Sequence, residues 1–280
     1  MLPSLIMICT FMIIPLIRSF YLSFFKYDGL ADPIFIGLDN FKRLINDSNF
    51  WTSLGNNLIF STLVTALTVI LGLLFAIAID RRLKGWKVFK FSNFIPVMLS
   101  LTIVGLLFAK VLEPNFGLFN SMLGFLGLES FQMNWLGDPS LTLFSIIAVQ
   151  VWQYSGFTML LFLTAVEGIS PEIHEAATLD GVTGWQRIIY IIIPMVKRII
   201  FVVGMVQIIF SFKVFDIIWV MTEGGPGGAS EVLGTYLYKN AFAWSQYGYA
   251  SSIAVGMTIT VCIFTVVYLK LTKLDKQEVE

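Results

Sequence analysis

Residues 58–79 read LIFSTLVTALTVILGLLFAIAI and carry no charge. A helix rises about 1.5 Å per residue and the hydrocarbon core of a bilayer is about 30 Å thick, so about 20 apolar residues cross it. This stretch meets that length. An outward-facing barrel strand must alternate apolar and polar positions; 59–79 and 199–209 run apolar without alternation. The expected fold class is all-α, an integral membrane helical bundle. Five further runs meet the same length, giving six expected transmembrane helices at 2–25, 58–79, 92–112, 141–166, 199–221 and 250–269. The first has no basic segment before it and is too long for the apolar core of a signal peptide. No A-x-A-like site follows it, so it reads as a retained span.

Composition agrees. The 280 residues are 57% hydrophobic and 13% charged, about half the charge of an average soluble domain, which excludes disorder and an ordinary soluble globule. Formal net charge is zero, so nothing draws the chain as a whole toward nucleic acid. Cys9 and Cys262 lie in apolar runs and are expected as small buried hydrophobes rather than a disulfide or metal site. No internal repeat divides the chain, and a single membrane domain over 1–280 accounts for it.

Loop cations set an expected orientation, since Lys and Arg concentrate on the cytoplasmic side. Arg81, Arg82, Lys84, Lys87, Lys90, Arg187, Lys197, Arg198, Lys270, Lys273 and Lys276 fall on one side. Only Lys26, Lys42, Arg43 and Lys239 fall clearly in loops on the other. Both termini are therefore expected inside. Outside, 26–57 and 113–140 are long enough to form short interfacial elements, with Trp51 and Trp135 as interface aromatics. The Gly-Gly-Pro-Gly-Gly run at 224–228 breaks any helix.

The inside loop at 168–198 reads GISPEIHEAATLDGVTGWQRIIYIIIPMVKR. Ser170 is a candidate cap, Pro171 suits a first turn, and Glu172 complements the helix dipole. Asp180-Gly181 ends that helix, because glycine adopts the positive-φ conformation other residues resist. A second short segment from Trp185 leads to Pro194, where the next span is expected to start. In isolation this could be no more than a polar inter-helix loop.

Glu175-Ala176-Ala177, three residues, then Asp180-Gly181 and later Ile193-Pro194 resemble the EAA loop of bacterial ABC-importer permeases. Asp39-Asn40-Phe41, Leu71-Gly72-Leu73, Phe116-Gly117-Leu118-Phe119-Asn120, Asn134-Trp135-Leu136, Phe215-Asp216 and Gly224-Gly225-Pro226 resemble, in order, landmarks of the carbohydrate-importer branch. That branch includes the larger maltose-permease subunit and its six-span sugar and glycerol-phosphate relatives. His174, Val182 and Arg198 depart from the usual Tyr, Ala and second Pro.

The resemblance implies the type I ABC-importer permease fold and import of a carbohydrate, with an oligosaccharide favoured and glycerol phosphate as the alternative. It implies a coupling helix carrying Glu175, Ala176, Ala177, Asp180 and Gly181, docked on a separate ATPase. The implied partners are a second permease subunit, two ATP-binding subunits holding the ATP and Mg, and an extracellular solute-binding protein. The implied location is the bacterial cytoplasmic membrane.

Polar residues inside spans default to functional hypotheses. Gln150, Gln153, Tyr154 and Phe157 share one face of the fourth span, and Gln207, Phe210, Ser211 and Val214 repeat that spacing on the fifth. Amides and hydroxyls exchange hydrogen bonds with sugar hydroxyls while aromatic faces cover C–H surface. The resemblance places the solute path between these stretches; the alternative is plain helix–helix bonding. Lys213 and Asp216 are expected to form a structural ion pair.

His174 is the only histidine, so no histidine-based metal site or Ser-His-Asp set can form; it reads as a partly exposed docking residue. No G-x-x-x-x-G-K-[ST] loop is present to cradle nucleotide phosphates. An ion-driven secondary transporter would show more spans and inverted repeats, and a membrane enzyme lacks its catalytic set.

Overall fold

The computed structural model describes residues 2–272; Lys273 and Lys276 of the cation count lie outside them. Helix α1 (Pro3–Leu22) leads to a two-stranded antiparallel ribbon, β1 (Phe25–Lys26) with β2 (Ile34–Phe35). A short surface helix α2 (Asp39–Asn46) precedes the long α3 (Ser48–Asp80). Then come α4 (Trp86–Met98), α5 (Leu101–Val111), the short α6 (Leu118–Phe125) and α7 (Thr142–Glu167). On the chain's other face α8 (Pro171–Leu179) precedes α9 (Gly184–Phe212). The chain closes with α10 (Asp216–Thr222), α11 (Leu233–Tyr238) and α12 (Tyr247–Thr272). Among the described residues five continuous helices, α1, α3, α7, α9 and α12, are long and apolar enough to cross a membrane, and the bent pair α4 and α5 is together apolar enough for a sixth, as a broken span or a re-entrant loop.

That break corrects the continuous helix expected at 92–112. Its two halves meet at 103°. Pro96 sits in a tight turn at Ile95–Met98, where its missing N–H interrupts the ladder. Leu99 is extended, and Ser100 restarts the helix by accepting from the Ile103 N–H at 3.3 Å. The Leu99 carbonyl freed by the bend accepts from Gln153 Nε2 of α7 at 2.9 Å. The fifth run differs too. It starts at Gly184 rather than 199, because a wide π turn at Ile188–Ile192 absorbs Pro194 and joins the short segment from Trp185 to the span. It stops at Phe212 and restarts at Asp216.

The core is the α3–α7 contact. Gly72 lies so close to α7 that a methyl there would stand 2.7 Å from Thr158 Cβ and 2.9 Å from the Met159 amide nitrogen. Along the same face of α3 run Ser53, Asn57, Ser61, Thr65 and Thr68, all buried. Small residues let helix backbones approach, and their hydroxyls bond across the gap. Ser61 meets Ser211 of α9 at 2.8 Å, and Asn57 Oδ1 accepts from the Leu233 amide at 3.1 Å.

α1 buries nothing in this chain over its apolar window, and α12 packs mainly through its first two turns. Cys9 and Cys262 sit on these helices, so Cys9 is half-buried and Cys262 exposed, both with free thiols. The expected burial of the two thiols is corrected accordingly, because the other described residues cover the helix face at Cys9 only in part and leave that at Cys262 open.

One carboxylate joins three elements on the side opposite α8. Asp47 caps α3 by accepting from the Asn49 amide at 3.0 Å, and its other oxygen accepts from Tyr236 at 2.5 Å and from Tyr249. Burial raises the Asp47 carboxyl, but the two tyrosine hydroxyls and the helix amides outweigh it and hold the group below the usual carboxylate range. Burial and the same carboxylate push Tyr236 up to about 12. A depressed folded value gives stability that is present above the ordinary carboxylate pKa and is lost as pH falls through the folded one. Asp47→Ala is expected to lower stability by roughly 3 kcal/mol, a lost cap plus two charge-assisted bonds. In thermal unfolding from pH 7 to pH 3, wild type should lose more of its midpoint than Asp47→Asn; parallel curves would show that the charge contributes nothing.

Candidate functional site

Two clusters stand out, one on the face carrying α8 and one inside the bundle. On the first, Pro171 and Glu172 open α8 as expected, whereas Ser170 makes no side-chain cap bond. The helix ends in a Schellman motif: Val182 N–H reaches the Ala177 carbonyl at 3.0 Å and Gly181 N–H reaches Thr178 at 3.2 Å. Gly181 holds φ +70°, the conformation this closure requires. Thr183 then caps the start of α9, bonding reciprocally with Gln186.

This geometry fixes which side chains face out. Glu175, Ala176, Asp180 and Gly181 are exposed. Ala177 is buried, on the face it shares with Ile173, which packs on Val166, Ile169, Ile192 and Val196. Leu179 is 88% exposed, and Trp185 and Tyr190 in the first turns of α9 are exposed as well. Sequence reading did not single out these aromatics as surface features, although polar neighbours on a short capped helix mark such a knob. His174 is half-buried, with Nδ1 unpartnered. It lies between a cleft lined by Glu175, Leu179 and Arg187 and a second lined by Asp80, Arg82 and Glu167. The ends of α3 and α7 therefore share a side with α8.

Inside the bundle the eight residues expected to line a solute path divide. Gln207 donates to Thr158 Oγ1 at 2.9 Å, and Ser211 bonds Ser61 and the Gln207 carbonyl. Gln153 is 2% exposed and holds the α4–α5 bend through Leu99; its Oε1 and that of Gln150 have no partner among the described residues. Val214 is packed in the apolar core. Tyr154 and Phe157 are half-buried, and Phe210 is 58% exposed on a stripe of α9 with Ile199, Val202 and Met195. Asn57, Ser61 and Thr158, which complete the polar contacts, were not singled out; for the first two, the four-residue recurrence of Ser53, Asn57, Ser61 and Thr65 was the available signal. The expected Lys213–Asp216 pair is absent among the described residues. The helix stops at Phe212 and Phe215 takes φ −145°, so the two side chains are not on one helix and both are exposed.

Residues 87–275 match the family described as binding-protein-dependent transport system inner membrane component. The chain is 35% identical over 279 residues to a Bacillus subtilis protein, YurN, described as a probable ABC transporter permease, covering 99% of this chain and 95% of that one. It is 34% identical over 270 residues to the trehalose/maltose transport system permease protein MalF of Thermococcus litoralis, covering 96% and 90%. A bacterial ABC transporter involved in import of the acidic polysaccharide alginate shares the fold, with TM-score 0.86, 24% identity and coverage of 97% and 93%.

Proposed function

Because the chain belongs to the binding-protein-dependent transport system inner membrane components, we propose that it is the permease subunit of an ATP-driven importer that carries a carbohydrate across the cytoplasmic membrane by alternating access. The observation that carries this reading is α8: a capped, Schellman-closed helix that presents Glu175, Asp180, Gly181 and Leu179 outward. Such a rigid knob suits the groove of a separate ATPase. ATP and Mg belong to two such partner subunits, a second permease completes the path, and an extracellular solute-binding protein delivers the sugar. Closure of the ATPases around ATP favours one arrangement of the spans over the other, which differential binding energy requires. The cation asymmetry of the loops supports an inner face carrying α8 and both termini.

A carbohydrate is supported by the similarity to relatives such as the trehalose/maltose transport system permease, and by the mixture of amides and aromatics on α7 and α9. Phe210 has the surface to touch a solute, and Gln153 and Gln150 each keep one unpartnered amide oxygen. Gln207 and Ser211 hold helices together at the edge of that path.

The test is competitive uptake of a labelled oligosaccharide panel in cells lacking this chain, complemented with wild type or variants. An oligosaccharide should compete; competition by glycerol phosphate alone would move the solute class. Phe210→Ala should reorder the competing sugars at unchanged chain abundance. Gln207→Ala should instead lower stability by about 1 kcal/mol, the scale of an inter-helix bond in a membrane. An unaltered sugar profile in Phe210→Ala places the path elsewhere.

A further inference from the structure

We propose that Asn57 of α3 is a positioning residue for the end of α9 that carries Phe210, and that it thereby helps set which sugars are carried. The role rests on Phe210 facing the solute path and adds to that path a residue from a third helix.

Helix α9 stops at Phe212 and α11 starts at Leu233. A carbonyl at a helix C-terminus and an amide at a helix N-terminus have no partner within their own helices. Asn57 meets one of each. Its Oδ1 accepts from the Leu233 amide at 3.1 Å, and its Nδ2 donates to the Phe212 carbonyl at 3.4 Å. A primary amide carries donors and an acceptor in one plane, so a single side chain closes both ends of the excursion at 213–232. Asn57 is fully buried, where water cannot stand in for it.

Neighbouring positions of α3 repeat the grip. Ser61, one turn along the same face, meets Ser211 at 2.8 Å. Asn56 donates to the Gly228 and Glu231 carbonyls at 3.2 and 2.9 Å. The last turn of α9, the first turn of α11 and the loop returning between them are therefore all held by α3.

Phe210 lies two residues before the carbonyl that Asn57 holds. Its ring is 58% exposed, so the backbone of that turn does more than the ring's own contacts to fix where it stands. Val214, two residues beyond the same carbonyl, is packed in the core. Releasing the Phe212 carbonyl loosens the turn at the point where an exposed aromatic is aimed by a buried anchor. A merely structural bond would lower uptake of every sugar alike; a positioning bond changes their order.

The experiment uses the assembled transporter in cells lacking the native chain. Asn57→Leu keeps the branched shape and removes both bonds. At wild-type membrane abundance it should change the uptake ratio of two competing sugars by about three- to tenfold, the effect of one or two inter-helix bonds in a membrane. Combined with Phe210→Ala, it should give the profile of Phe210→Ala alone, since residues acting through one another are not additive. Independent, additive shifts overturn the role, as does a wild-type ranking of sugars in Asn57→Leu. Should Asn57→Leu fail to accumulate, Ser61→Ala loosens the same turn more gently and must reorder the sugars; an unchanged ranking there overturns the role. Reordering by Phe210→Ala without reordering by Asn57→Leu defeats the role of Asn57 alone. An unaltered profile in Phe210→Ala itself defeats the path, and the role with it.

Discussion

Gly181→Leu and Glu175→Lys are each expected to reduce uptake by roughly a hundredfold, the scale of losing one interface hot spot, while leaving membrane abundance unchanged. Gly181 holds φ +70° at the C-terminus of α8, where an L side chain costs about 1–2 kcal/mol. That strain reopens the Schellman closure, freeing the Ala177 and Thr178 carbonyls and tilting Leu179 and the start of α9 out of register. Glu175→Lys leaves the helix intact, since Glu175 is exposed and forms no ion pair among the described residues, but reverses the charge offered to a partner. The two variants separate shape from charge. Uptake of the labelled solute, immunoblotting of membranes and co-purification of the ATPase check them together. Normal uptake in both sinks the coupling role of α8, and lost membrane abundance would point to folding instead.

Gly156→Ala is expected to be the most damaging single methyl in the chain. A Cβ there would overlap the Asn93 carbonyl oxygen and lie 2.6 Å from its carbon. Backbone cannot rotate aside as a side chain can, so α4 must move off α7. The move also stretches the Gln153–Leu99 bond that holds the α4–α5 bend. Overpacking typically costs about 1–3 kcal/mol and occasionally more; with backbone as the obstacle, the upper end applies. Gly55→Ala is the control. It lies inside α3 with nothing within 4 Å of the added methyl, so it should be neutral or stabilising by about 0.5–1 kcal/mol. Thermal midpoints of the two purified variants measure the difference. Equal midpoints would mean that α4 and α7 do not meet as closely as described.

The crossings and the ends of α8 were legible in the chain because each depends on local chemistry. An uncharged run of sufficient length must be helical in hydrocarbon, where each unpaired backbone group costs several kcal/mol. Pro171 and Gly181 mark their helix ends for reasons confined to a few residues. The bends were less legible. Pro96 and Ser100 are both breaker signals, but they sit inside an apolar run that outweighs them when hydropathy is averaged. Pro194 gave the opposite error: a break was expected there, yet a π turn carried the helix through it. Burial was also hidden. Ala177 and Gln207 are chemically plausible contact residues, and only packing shows that Ala177 faces inward and that Gln207 is engaged by Thr158.

Sequence alone therefore determined that this chain is a helical membrane protein with six apolar runs and a capped polar helix on one face, since hydropathy and helix caps act over distances of a turn or a span. Tertiary structure alone decided where the third and fifth crossings break, which polar groups bond other helices, and which faces stay uncovered. Those features depend on residues far apart in the chain, such as Gln153 with Leu99 or Asp47 with Tyr249. No local pattern encodes which carbonyl or hydroxyl a distant helix will bring within reach.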